Sequence, residues 1–174
     1  MPERLDVRIY HPIAPLYNEN SRILILGSFP SLKSRESNFF YGHPQNRFWR
    51  VIAEITGNAL PKSIEEKKNL LFSSGIALYD VIGSCEIVGS SDSTIKNAEP
   101  TDISSIVSHS RIEKIFLNGK TAKKYYDRLI YPTLMIEGAV LPSTSPANAA
   151  FSFERLVRIW REEIFKKDIE GNNL

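Results

Sequence analysis

Hydrophobic and polar positions follow two periods along this chain, and together they predict strands that alternate with helices. Four runs rich in apolar residues are typical of strands and span residues 23–26, 76–82, 112–117 and 133–141, the last interrupted at Gly138. Segments with apolar positions three and four residues apart predict helices over residues 47–55, 64–72, 102–107, 120–129 and 151–167. Residues 83–100 show no period and are predicted to form a loop. The alternation favours an α/β fold with a parallel sheet covered by helices on both faces.

Three polar segments follow the predicted strands at the edge where parallel strands end. Residues 27–46 follow Leu26, Asn118-Gly119 follows Leu117, and residues 142–148 follow Leu141. In open sheets of this kind, ligands bind beyond the carboxyl ends of the strands. A loop as long as the first of these costs ordering entropy and usually carries function. The sequence therefore predicts a ligand pocket formed by these three segments.

The composition limits the class of protein without identifying a ligand. The 174 residues favour one domain over residues 1–174, with its core in about 11–167 and a disordered end at 170–174. A net charge of +2 neither shows nor excludes nucleic-acid binding. One cysteine and three histidines exclude a two-cysteine zinc site, so we expect no metal. Because the sequence shows no signal peptide or membrane span, we expect a soluble cytoplasmic protein.

The residue types of the first loop indicate what its pocket holds. The segment GSFPSLKSRESNFFYGHPQNRFW, residues 27–49, supplies small residues, hydroxyls, amides and aromatic faces but few charges. These groups suit a flat, polar, neutral ligand such as a nucleobase, which base-flipping enzymes hold between aromatic side chains.

The motifs GSFPS, GHPQNRFW, LNGKTA and LPSTSPANA, taken in this order, resemble the uracil-DNA glycosylase superfamily. Within it, the chain is most similar to the hypoxanthine-DNA glycosylases, also called DNA-deoxyinosine glycosylases, from about His11 to Trp160. The resemblance implies a three-layer α/β/α sandwich around a four-stranded parallel sheet. It also implies excision of a deaminated base from DNA without a metal or organic cofactor.

The resemblance also assigns the site residues. It makes Asn46 the catalytic residue. The base-facing positions that it implies are Gly27, Ser28, Phe29, Pro30 and Asn118. The residue types themselves add two more, Tyr41 as an aromatic wall of the pocket and His43 as a hydrogen-bond or proton donor near the base. Positions that grip the DNA backbone or wedge into the duplex are Ser31, Leu141, Pro142, Ser143, Thr144, Ser145, Pro146 and Asn148. Uracil-removing branches carry a catalytic Asp or Asn where this chain has Phe29, which favours the inosine branch.

The residues alone leave simpler roles open. Asn46 precedes a predicted helix and is a candidate N-cap, a role compatible with catalysis. Asn118-Gly119 is a good turn pair, and His43 and the loop serines suit turns equally well. The basic face formed by Lys120, Lys123, Lys124 and Arg128 is either solvated surface or an attraction for DNA. For Asp80, inside an apolar pattern, a supporting polar role is open.

The resulting functional hypothesis is a monofunctional DNA glycosylase. It would flip a deaminated base, preferably hypoxanthine, out of duplex or single-stranded DNA, and hydrolyse the N-glycosidic bond with a water held by Asn46. An abasic site would remain, without lyase cleavage. We expect a monomer that associates with the nucleoid and needs no cofactor. The alternatives are a uracil-DNA glycosylase acting on G:U mismatches, a non-catalytic damaged-DNA-binding module and a small-molecule nucleoside hydrolase.

Overall fold

The computed structural model describes residues 7–166, in which strands and helices alternate through most of the chain. The strands are β1 (Arg8–Tyr10), β2 (Ile23–Gly27), β3 (Ile76–Asp80), β4 (Ile82–Glu86), β5 (Lys96–Pro100), β6 (Lys114–Asn118) and β7 (Gly138–Leu141). The helices are α1 (Leu32–Ser37), α2 (Phe48–Thr56), α3 (Ile64–Ser73), α4 (Ile103–Ser108), α5 (Lys120–Leu129), α6 (Tyr131–Leu134) and α7 (Phe153–Ile164). The predicted disorder at 170–174 and the predicted last residue of the closing helix, 167, lie outside the described residues.

The central sheet has four parallel strands in the order β3-β2-β6-β7. Its register pairs Gly27 with Asp80 and Asn118 with Leu141, so these residues meet at one edge. The predicted parallel sheet and the convergence of the polar segments at its carboxyl end are therefore confirmed.

Side chains alternate across this sheet and produce two cores. Ile25 and Leu78 face a cluster with helices α2, α3 and α7, in which Trp160 is fully buried. Leu24 and Leu26 face the opposite cluster, which contains residues of α4 and α5. Burial of both faces explains why the strands appear as continuous apolar runs. The three-layer α/β/α fold is thus confirmed.

A second, antiparallel sheet corrects the predicted loop over residues 83–100. Strand β4 pairs with β1 on one side and with β5 on the other, in the order β1-β4-β5. Strand β5 is KNAEP, a polar and largely exposed segment, and its pairing with β4 is irregular at two points. Because short, exposed and bulged strands lack an apolar period, the pattern concealed this hairpin.

Three further elements differ from the predictions. The predicted strand over 76–82 ends at Asp80, and Ile82 begins β4 of the second sheet. The predicted strand over 133–141 is wrong in its first half, where α6 has Pro132 in its first turn and Met135 closes it in a left-handed conformation. Strand β7 begins at Gly138. The first loop contains the short helix α1, whose first turn is capped by the side chain of Ser31. In the described residues, no helix is long and apolar enough to cross a membrane.

Candidate active site

A cavity of about 440 Å³ lies at the carboxyl end of the central sheet. It is bounded by the first loop, by the hairpin between β4 and β5, by the end of β6 and by the loop after β7. The predicted residues that line it are Gly27, Ser28, Phe29, Pro30, Ser31, Tyr41, His43, Asn46, Asn118, Ser143, Thr144, Ser145 and Pro146. Asn46, assigned as the catalytic residue, and most of the predicted base-facing and backbone-gripping positions therefore share one cavity.

The cavity has a buried floor of two aromatic rings and one carboxylate, and an exposed mouth. Phe40 is 2% exposed, Asp80 4% and Phe29 7%, and these side chains form its deep end. Ser90, Ser91 and Pro146 are exposed residues at its mouth. Asn46 and His43 are intermediate in exposure.

Gly27 is required by the packing of this floor. A Cβ at this position would lie 2.4 Å from Asp80 Oδ1 and 3.1 Å from the Tyr41 hydroxyl. The first distance is too short for any real contact. Because Gly27 and Asp80 are registered neighbours on parallel strands, the carboxylate occupies the space that a side chain at residue 27 would take.

The Asp80 carboxylate is oriented by a buried histidine. His11 Nε2 lies 2.7 Å from Asp80 Oδ2, and both side chains are at most 5% exposed. The Ile13 backbone N–H donates to His11 Nδ1 at 3.2 Å. A backbone amide can only donate, so Nδ1 is the acceptor and Nε2 carries the hydrogen that is given to Asp80. Neither residue was predicted as a site residue beyond the open role for Asp80.

The side chain of Asn118 is occupied by protein contacts. The Thr144 backbone N–H donates to its Oδ1 at 3.0 Å, which fixes the orientation of the amide. Its Nδ2 donates to the Tyr41 hydroxyl at 3.1 Å and to Thr144 Oγ1 at 3.0 Å. Both amide hydrogens are thus used, and Asn118 braces the walls of the cavity.

Hydrogen bonds of Thr144 connect Asn118 to Asn46. The buried Thr144 hydroxyl accepts from Asn118 and donates to Asn46 Oδ1 at 2.9 Å. Asn46 Oδ1 also accepts from the Phe48 backbone N–H at 2.9 Å. The N-cap of α2 is Arg47, so the predicted N-cap role of Asn46 is wrong, although its side chain binds the first amide of the helix. With its oxygen engaged twice, Asn46 offers the cavity its Nδ2 group, which can donate hydrogen bonds but cannot take a proton.

Tyr41 is held in an unusual conformation at the cavity wall. Its φ is +54°, in the left-handed region that bulky residues rarely adopt. Its ring stacks on Phe48 with centroids 4.0 Å apart. Burial raises the pKa of its hydroxyl far above the ordinary range, the charge of Asp80 raises it further, and the Asn118 hydrogen bond opposes both. Tyr41 is therefore a neutral hydroxyl and an aromatic wall.

The loop after β7 is held by contacts from the start of α2 and from α7. The Arg47 guanidinium donates to the backbone carbonyls of Ser145, Asn148 and Phe151. Trp160 Nε1 donates to the carbonyl of Pro142 at 2.9 Å. Pro146, with Ala147 beside it, is exposed at the tip of this loop.

Leu141 is buried in the core and does not lie where a residue that wedges into DNA would have to lie. It is 1% exposed and packs in the core with Trp160. A residue that wedges into DNA must be exposed, so Leu141 ends the strand and supports the loop.

A second cavity of about 590 Å³ adjoins the first beside the start of α5. The two cavities share five lining residues, Asp92, Asn118, Ser143, Ser145 and Ala147. The second is also lined by Leu141, Pro142, Asn148 and Lys120. Ser28 donates to both oxygens of Asp92 at 3.2 Å. Asp92 as a whole residue is exposed at the rim of the cavity, but protein atoms surround its carboxyl group and exclude water from it. This burial raises the pKa of Asp92, and the hydrogen bond from Ser28 lowers it in part.

Sequence reasoning missed three residues that shape this site. His11 lies outside the three polar segments that follow the strands, and the dipeptide His11-Pro12 gives no sign of contact with Asp80. Asp92 lies in the hairpin that was predicted as a loop. Arg47 directly follows Asn46 within GHPQNRFW, and that adjacency was the available signal. In residues 7–166 no group of three or more His, Cys, Asp or Glu side chains is arranged to hold a metal ion.

Comparisons with known proteins identify the family of this chain. The family model of the Uracil DNA glycosylase superfamily matches residues 14–165. Two curated relatives are named hypoxanthine DNA glycosylase. The one from Methanosarcina acetivorans is 38% identical over 140 residues, covering 79% of this chain and 87% of the relative. The one from Methanosarcina barkeri is 32% identical over 136 residues, covering 77% and 85%.

A solved structure shows the same fold. It is a solution NMR structure from Methanosarcina acetivorans, described there as a candidate uracil DNA glycosylase. It superposes with a TM-score of 0.74 at 31% identity, covering 90% of this chain and 98% of that one. The family model, the curated relatives and the shared fold together show that this chain belongs to the uracil DNA glycosylase superfamily, a superfamily of DNA glycosylases.

Proposed function

We propose that the protein is a monofunctional DNA glycosylase that removes hypoxanthine from deoxyinosine in DNA and leaves an abasic site. The observation that carries the proposal is a cavity of about 440 Å³ that is lined by Asn46, whose side chain is fixed by Thr144 and Phe48. Preference for hypoxanthine is supported by the names of the two curated relatives. Phe29, where the uracil-removing branches carry a catalytic Asp or Asn, also supports it.

The proposed reaction is hydrolysis with early departure of the base. The bond between C1′ and N9 breaks, its electron pair stays with the base, and the sugar develops oxocarbenium character. The oxygen of a water then bonds to C1′, and the proton that the water loses reaches the released base through solvent. Because the sugar is already electrophilic, the water needs orientation more than it needs a strong base.

Asn46 provides this orientation in the proposal. Its Oδ1 is held by two donors, so the plane of its amide is fixed. Its Nδ2–H groups can hold the oxygen of the water on the side from which it attacks. Positioning groups of this kind act by removing rotational freedom before the reaction, which is effective only when they are themselves rigid.

The loop after β7 is the proposed contact with the DNA backbone. Ser143 and Ser145 line the cavity, and Arg47 fixes the main chain that carries them. Hydroxyl and backbone contacts of this kind position a duplex without reading its sequence. The exposed Lys120 at the adjoining cavity adds salt-dependent attraction. We further propose that residues 1–174 act as one domain and a monomer inside the cell, with no cofactor.

The test is base release from matched labelled duplexes that contain inosine or uracil, with EDTA present and alkaline cleavage as the readout. We expect release from inosine, and we expect Asn46→Ala to lower its rate by about 100-fold or more because orientation is lost. Asn58→Ala, an exposed amide just after α2, is the matched control and keeps the wild-type rate. Faster release from uracil would identify the uracil enzyme instead. Binding without release would identify a damaged-DNA-binding module.

A further inference from the structure

The floor of the cavity holds a carboxylate that the proposed hydrolysis does not use. Asp80 Oδ2 is bound by His11, whereas Oδ1 has no hydrogen-bond donor among the described residues. Oδ1 lies over Gly27, where a glycine gives it room, and the residue is 4% exposed. Every fully buried side-chain oxygen of the described residues has a hydrogen-bond partner, so Oδ1, which has none, is open to the cavity, where a donor from the ligand can reach it.

We propose that Asp80 selects deaminated bases by accepting the ring N–H that deamination creates. This inference rests on the proposed glycosylase function. Hypoxanthine carries a hydrogen on N1, whereas adenine presents a lone pair there. Uracil and cytosine differ in the same way at N3. A carboxylate only accepts, so it attracts hypoxanthine and repels adenine.

The depth of the cavity places the base at Asp80 and the sugar near Asn46. A nucleotide that swings out of a duplex enters base first, and its ring meets Phe29, Phe40 and Asp80 at the floor. Asn46, with intermediate exposure, then lies nearer the sugar. Base recognition through Asn118 is less suitable, because both of its amide hydrogens are already donated to Tyr41 and Thr144.

His11 fixes which oxygen of Asp80 faces the cavity as a hydrogen-bond acceptor. Because Ile13 donates to His11 Nδ1, Nε2–H must donate to residue 80. In the variant Asp80→Asn, His11 therefore binds the amide oxygen and turns the NH₂ group into the cavity. The floor then changes from an acceptor to a donor, with almost no change in shape. His11 is thus a positioning residue for base selection.

The experiment combines two protein variants with three duplexes, each carrying its test base opposite cytosine. The bases are hypoxanthine, adenine and 1-deazahypoxanthine, in which a C–H replaces N1–H. Base release is measured under single-turnover conditions, and affinity is measured with 2′-fluoro nucleotides that resist cleavage. Glu113→Gln, which removes an exposed carboxylate at the other end of the sheet, is the charge control.

For the wild type and Glu113→Gln we expect hypoxanthine to be favoured over 1-deazahypoxanthine by on the order of 10- to 100-fold, the range of a charge-assisted hydrogen bond. For Asp80→Asn we expect that ratio to fall to about one and the gap to adenine to narrow. An unchanged ratio in Asp80→Asn overturns the inference, as does a wild type that treats the two analogues alike. The comparison of the two analogues with the wild-type protein tests the role of Asp80 even if the variant Asp80→Asn does not fold. If the wild type releases no base, the glycosylase proposal fails, while the affinity ratios still decide the role of Asp80.

Discussion

Replacing Thr144 by valine tests whether Asn46 is oriented through the network behind it. The substitution keeps the shape of the side chain and removes the hydroxyl. Asn46 Oδ1 loses a donor at 2.9 Å and Asn118 Nδ2 loses an acceptor at 3.0 Å. Thr144 is fully buried, so water cannot readily replace either contact.

The magnitude follows from the two broken contacts. Leaving buried polar groups unsatisfied costs about 1–3 kcal/mol of unfolding free energy. For a chain of this length this corresponds to a fall in Tm of about 2–12 °C. Asn46 keeps its bond to the Phe48 amide but loses its second anchor. We therefore expect base release from an inosine duplex to slow by about 10- to 100-fold.

The assay pairs Thr144→Val with Thr144→Ser, which keeps the hydroxyl and loses a methyl group. Denaturant unfolding gives stability, and single-turnover base release gives the chemical rate. The serine variant loses about 1 kcal/mol through its missing methyl but keeps most of its activity. A valine variant that is destabilised yet releases base at the wild-type rate would refute the claim that Thr144 orients Asn46.

Three further perturbations test other parts of the site. Gly27→Ala places a Cβ 2.4 Å from Asp80 Oδ1. We therefore expect the rate of base release to fall by about tenfold or more, with the affinity for undamaged DNA unchanged. Base release at the wild-type rate would contradict the claim that Asp80 leaves no room for a side chain at residue 27. Arg47→Ala removes three hydrogen bonds to the carbonyls of the loop after β7. We expect it to lower the free energy of unfolding by about 2 kcal/mol and to weaken DNA binding measured by fluorescence anisotropy. Arg47→Lys lacks the guanidinium group, so we expect it to restore little of this stability or binding. Burial raises the pKa of Asp92 above its ordinary 3.8, so the folded state loses stability as pH rises through that carboxyl's titration. Asp92→Asn should therefore raise Tm at pH 7, with the gain vanishing below pH 3.8, and a gain that does not change with pH would contradict this.

The central sheet was predictable from the sequence because both of its faces are buried. Ile25 faces one core and Leu24 and Leu26 face the other, which requires apolar residues at successive positions. Polar residues then mark the strand ends, so the place of the cavity follows from the order of the elements. The edge hairpin was not predictable in the same way, because β5 buries little and its residues carry no period.

The inner geometry of the site could not be derived from residue types. Asn118 was interpreted as facing a base, but its amide is satisfied by Tyr41 and Thr144. His11 and Asp80 are 69 positions apart, and register alone brings Asp80 beside Gly27. Contacts between distant residues depend on the packed fold, so the sequence motifs located the cavity without assigning its hydrogen bonds.

The most direct test of the account is the chemical identification of the product from an inosine-containing duplex. Wild-type protein and Asn46→Ala are incubated with the duplex in EDTA, and the small-molecule fraction is separated and weighed by mass spectrometry. The account predicts free hypoxanthine in amounts equal to the abasic sites formed by the wild type, and very little from the variant. If the wild-type protein binds the duplex but leaves the deoxyinosine intact and releases no free base, the account is contradicted.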